Sequence, residues 1–170
     1  ESFLRPGIER PGTWNYGHQY VAWHLVETAS ALEGAPAELS LYASESYWTG
    51  SSSALRRYTL RTDGFVSLNA PMSGGALVTR PLTFEGDRLH LNVATSAAGS
   101  LRVEIQDGEG RPIPGFAAED CDDVFGDTLD REVSWKGSPD VGPLARRPVR
   151  LHITLRDADL YALKFGRAPA

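Results

Sequence analysis

In RLHLNV (88–93), Leu89, Leu91 and Val93 alternate with His90 and Asn92. A period of two separates apolar from polar side chains only when the chain is extended. SLRVEI (100–105) repeats it, with Leu101, Val103 and Ile105 predicted to face inward and Arg102 and Glu104 outward. VRLHITL (149–155) does so again, and no long segment carries a helical period. Gly, Pro, Asn and Asp separate the runs, as turn residues do.

The pattern predicts strands near 2–5, 19–27, 38–44, 55–61, 64–69 and 76–84, then near 88–95, 100–106, 130–135, 148–156 and 159–165. QDGEGRPIPG (106–115) is the clearest turn, with Gly108 and Gly110 offered for positive φ. The Pro and Gly of SPDVGPLARRP (138–148) allow a short helical turn and no long helix. Many short strands with turns between them define an all-β class.

A length of 170 residues suits one domain, or one domain with a supersecondary unit. Three of the four tryptophans (Trp14, Trp23, Trp48) precede residue 62, and the cleaner amphipathic strands follow it. The expected division is therefore 1–62, a blade-like unit of four antiparallel strands, and 63–170, an antiparallel β-sandwich of jelly-roll type. A net charge of −5 argues against nucleic acid and against an anionic membrane surface as partners. No run approaches the roughly 18 apolar residues of a membrane span. Glu1 opens in mid-pattern with no leader before it, which reads as a mature form or an excised piece.

The chemistry offered is sparse. One cysteine, Cys121, excludes an internal disulfide and reads as a packed residue rather than a nucleophile. The four histidines do not cluster, and His90 and His152 are expected on solvent-facing sides of their strands. AAEDCDDVFGDTLDREVSW (117–135) holds seven acids, but one contiguous loop seldom sets two carboxylates on opposite walls of a cleft, as glycoside hydrolysis needs. Within it Asp120, Asp122, Asp123 and Asp127 surround Gly126, and calcium is the metal such oxygens suit. The spacing is not that of an EF-hand, and a solvated acidic loop is the simpler reading.

TWNYGHQY (13–20) and ESYWTGSSSALRRY (45–58) set Trp14, Tyr16, His18, Tyr47 and Trp48 in loop-like surroundings. Flat aromatic faces with a few polar groups at the rim suit sugars, though these rings could equally cap the sheets. Trp23 and Trp135 lie in strand patterns and are expected in the core. Arg56 and Arg57 must point to opposite faces. Arg56 is a candidate sugar contact, and an inward Arg needs a carboxylate such as Glu45 or Asp63.

LRRYTLRTDGFVSLNAP, GSLRVEIQDGEGRPIPGF, DREVSWKGSPDV and PVRLHITLRDADLYALKF resemble the C-terminal region of bacterial glycoside-hydrolase-like proteins. Those are related to the five-bladed β-propeller enzymes of glycoside hydrolase families 32 and 43, and ESFLRPG resembles their last blade. The resemblance implies a terminal blade followed by a β-sandwich, exported from the cytoplasm and packed against a catalytic propeller. The blades that carry the catalytic carboxylates in those families have no counterpart here. The resemblance therefore implies a non-catalytic accessory module that binds polysaccharide or oligosaccharide, with no catalytic residue of its own and no required cofactor. The alternatives are a fragment contributing to a hydrolase site through Arg5, Glu9, Glu45 or the acidic loop, and a purely structural support.

Overall fold

The computed structural model describes Leu4, residues 20–45 and residues 54–168. The chain divides into two units, Glu1–Thr62 and Asp63–Ala170. Among the described residues regular structure is all strand, apart from one 3₁₀ turn at Gly142–Leu144 within the segment expected to hold a short helical turn.

In the first unit, β1 (Tyr20–Val21) and β2 (Val26–Thr28) pair with opposite ends of one edge of β3 (Glu38–Glu45), and β4 (Ala54–Arg61) pairs with its other edge. The strand expected over 19–27 is thus broken at Ala22–Leu25, where His24 takes φ 74°. The break leaves Trp23 86% exposed, so its expected place in the core is corrected. Of the predicted strand 2–5 only Leu4 is among the described residues, in a bend.

The second unit is built on two long antiparallel strands, β7 (Arg88–Gln106) and β9 (Arg150–Gly166). β5 (Leu68–Ala70) and β6 (Gly75–Val78) pair with successive parts of β9, and β8 (Asp127–Glu132) pairs with the first part of β7. Pro81 follows β6, so the expected strand 76–84 stops early and resumes only as the bridge between Leu82 and Val149.

Four expected strands are two continuous ones. Thr95 pairs with Ala158 and Ser100 with Arg156, so residues 96–99 of β7 stand against Asp157 alone. Such a bulge bends the ribbon without ending the ladder. Asp157 takes φ 45°, and its N–H donates to the Pro71 carbonyl at 3.1 Å. Leu89, Leu91 and Val93 before the bend, and Leu101, Val103 and Ile105 after it, are all buried in one contiguous core. The ribbon thereby supplies both layers of a sandwich-like fold.

Trp135 joins the layers. It is buried, its indole N–H donates to the Val103 carbonyl at 2.9 Å, and Phe116 meets its ring edge-on. Phe84 stacks on Phe165 at the other end of the core. At the 106–115 turn, Asp107 Oδ1 accepts the N–H groups of Glu109 and Arg111, and Gly110 and Gly115 take positive φ, at 85° and 87°, while Gly108 does not.

Gly99 sits at the bend. A Cβ there would lie 2.2 Å from the Asp157 carbonyl and 2.9 Å from that of Arg156. Both obstacles are backbone, so Gly99→Ala should cost about 2–3 kcal/mol, the scale of overpacking. Urea unfolding would show it as a lower midpoint with an unchanged slope; an unchanged midpoint would mean the bend tolerates a side chain.

Candidate functional site

The first unit presents one solvent-facing sheet surface with a recognisable chemistry. Residues paired directly across an antiparallel ladder share a face. Tyr20, Ser44 and Leu55 therefore form one row, Tyr42 and Arg57 the next, Val26, Ser40 and Thr59 a third, and Thr28, Glu38 and Arg61 a fourth. The outer members are open to solvent, with Tyr20 52%, Leu55 75% and Val26 50% exposed.

Arg57 crosses this face toward β2. Its Nε donates to Ser40 Oγ at 2.7 Å, and its Nη2 donates to Glu38 Oε1 at 2.7 Å and to Thr28 Oγ1 at 2.9 Å. Ser40 is fully buried beneath it and shares a hydrogen bond with the Thr28 hydroxyl. A guanidinium carries five N–H donors. Here Nη1 makes no hydrogen bond among the described residues, and the side chain as a whole is 36% exposed.

Arg56 points to the opposite face, as the two-residue period requires. Its Nε donates to Glu45 at 2.6 Å, and that contact raises its pKa. The Tyr58 hydroxyl also donates to Glu45. Arg56 is thus held by the carboxylate expected for an inward Arg, while Arg57 lies on the aromatic face. The sequence signal was only that Arg56 and Arg57 diverge; which of them joins Ser40 and Thr28 is set by the strand register. Trp14, Tyr16, His18, Tyr47 and Trp48 lie outside the described residues.

In the second unit the acidic loop does not converge on a point. Asp120 pairs with Lys136 at 2.6 Å, raising the lysine pKa. Asp122 accepts from Ser134 Oγ at 2.5 Å and from the Gly137 N–H at 2.9 Å, and both lower its pKa. Asp123 takes the Arg102 guanidinium at 2.6 Å, which also lowers its pKa. Asp127 opens β8 opposite Ala94. Among the described residues no three His, Cys, Asp or Glu side chains are grouped to hold a metal, so the calcium expectation for these four aspartates is not carried forward. Cys121 is buried, and that burial raises its pKa; its sulfur accepts the Val103 N–H at 3.2 Å.

Two histidines expected in solvent are instead partly covered beside carboxylates. His90 Nδ1 lies 3.1 Å from Asp130, out of line for a hydrogen bond, and Lys164 reaches the same carboxylate at 2.9 Å. His90 and Lys164 edge a 130 Å³ pocket with Asp63 and Asn92. His152 lies 3.4 Å from Glu104, which pairs with it across the ladder and is buried. Burial pushes the Glu104 carboxyl up, but hydrogen bonds from Gln106, the Ala118 N–H and His152 together bring it below the ordinary value. A larger groove of 440 Å³, lined by Val66, Leu68, Leu77, Leu160 and Leu163 together with Ser67 and Tyr161, is largely apolar. The Ser67 hydroxyl beside it is spent on Asp159 at 2.6 Å.

No family model, curated protein or solved structure matches the chain.

Glu104→Gln can offer its neighbours only one acceptor oxygen, so one donor then faces an amide N–H. The variant should lose about 1.5–3 kcal/mol at neutral pH, the scale of hydrogen bonds to a charged group. A carboxylate with a lowered folded pKa stabilises above its unfolded value and loses that contribution as pH falls through the folded one. The gap between wild type and variant should therefore be widest at pH 7 and close below about pH 4 in denaturant titrations. A gap independent of pH would sink this account. The separated aspartates also predict the same melting temperature in calcium and in chelator.

Proposed function

We propose that this chain is a non-catalytic accessory module of a glycoside-hydrolase-like protein, exported from the cytoplasm, that binds polysaccharide or oligosaccharide. The observation that carries the reading is the exposed face of the first unit. Tyr20 and Leu55 flank a guanidinium already fixed by Ser40, Thr28 and Glu38. Elsewhere in the same unit, Trp23 is a further exposed ring, edge-on to His24. Aromatic surface receives the C–H faces of a sugar, and fixed donors receive its hydroxyls at little entropic cost. The resemblance of the strand motifs to the C-terminal region of such proteins agrees with this, as does the all-β fold.

A second reading is structural support, with the module packing against a catalytic propeller. Val26 and Leu55, exposed on one sheet face, favour it, since apolar side chains in solvent commonly mark a surface that a partner covers.

Affinity electrophoresis through gels containing plant or microbial polysaccharides separates the two. Retardation that is lost in Tyr20→Ala and Trp23→Ala is expected, with no sugar released from fructans, arabinans or xylans. Absence of retardation in every gel would leave structural support as the reading; release of sugar would make the chain a hydrolase.

A further inference from the structure

We infer that the second unit carries a site of its own for a single sugar ring, in the pocket walled by Asp63, His90, Asn92, Leu129, Leu163 and Lys164. This site belongs to the other unit from the exposed sheet face and does not depend on it. The pocket opens where two irregularities of the sheet meet at one residue. Asn92 pairs with Ala162 and Val93 with Leu160, so Tyr161 is an extra residue in β9. Across the other edge of β7, Leu91 pairs with Arg131 and Val93 with Thr128, so Leu129 and Asp130 stand against Asn92. Bulges re-aim side chains and recur beside active sites. Here they flank a buried amide, Asn92, on the polar side of the ribbon.

The groups around the pocket suit hydroxyls better than ions. Among the described residues the Asp63 side chain makes no hydrogen bond or ion pair. Lys164 is paired with Asp130 at 2.9 Å, and Glu132, opposite His90 on β8, is taken by Arg88 at 3.2 Å. A simple cation would meet Lys164, and a simple anion would meet Asp63 and Asp130, so either sign is opposed by a like charge. A hydroxyl both donates and accepts, so a polyol can use the carboxylate, the amide and the ammonium together. His90 Nδ1 is buried without a hydrogen bond, so Asp130 does not fix the ring and it can turn a nitrogen toward a ligand. Leu129, Ala162 and Leu163 add aliphatic surface for the C–H side of the ring. A volume of 130 Å³ lies well below the roughly 300–1,000 Å³ of larger ligand sites, so the ligand is one ring, at the end or on a side branch of a chain.

The test is a millimolar titration of the full chain, followed by NMR, with xylose, arabinose, fructose, galactose and glucose in turn. At least one should shift the Asn92 side-chain amide and the Leu129 and Leu163 methyl signals in a saturable way. Asp63→Gly removes the carboxylate and tolerates the positive φ of that position, 57°. With folding confirmed by circular dichroism, it should bind about tenfold more weakly, as loss of a hydrogen bond to a charged group does. Tyr20→Ala, in the other unit, should titrate like wild type. No saturable shift at these residues with any of the sugars would overturn the inference, as would undiminished binding by folded Asp63→Gly. Equal shifts with acetate, ethylammonium or glycine would overturn the assignment to a sugar. Failure here, alongside gel retardation that Tyr20→Ala abolishes, would remove the pocket and leave the proposed function standing.

Discussion

The second unit depends on one interaction, the antiparallel ladder between β7 and β9. Each strand alone would be too long for one flat layer of a small domain. Pairing through the bulge at 96–99 lets both bend at one place, so a single ribbon lines both sides of the core. Every other strand of this unit attaches to that ribbon: β5 and β6 to β9, β8 to β7. Trp135 then ties the end of the β8 segment to the far layer through the Val103 carbonyl. Removing the bend would separate two hydrophobic faces that have no other partner of comparable size.

Burial of the ribbon's polar side follows from crowding rather than from hydrophobicity. Glu104 and Asn92 stand on the polar phase of β7, yet both are buried. Cross-strand neighbours and the connection through Ala118 cover Glu104, and they also supply the hydrogen bonds that keep its carboxylate charged. A buried charge is tolerable only on such terms. The first unit solves a related problem in another way. Ser40 is sealed by Arg57, whose own charge is met by Glu38, so a polar sheet face becomes rigid without becoming apolar.

The acidic loop shows how a concentration of charge along the chain disperses in space. Asp120, Asp122 and Asp123 are near neighbours in sequence but turn to Lys136, to Ser134 with Gly137, and to Arg102. These partners are brought up by the β8 segment and by β7. A metal needs ligands converging on one point, and a loop whose carboxylates are each engaged elsewhere has little left to offer one.

The period-two alternation was enough to assign the all-β class and the inward faces of β7 and of β9 up to Asp157, because side-chain direction in an extended chain is a local property. It also required Arg56 and Arg57 to diverge. It could not show that 88–95 and 100–106 are one strand, since a bulge is set by what lies opposite and Asp157 is more than fifty positions away. Nor could it show that Trp23 stands in solvent, that Arg57 rather than Arg56 occupies the aromatic face, or that Glu104 is covered. Each of those depends on the register of partners distant in sequence. Alternation specifies which way a side chain points, and only the tertiary structure decides what, if anything, it points at.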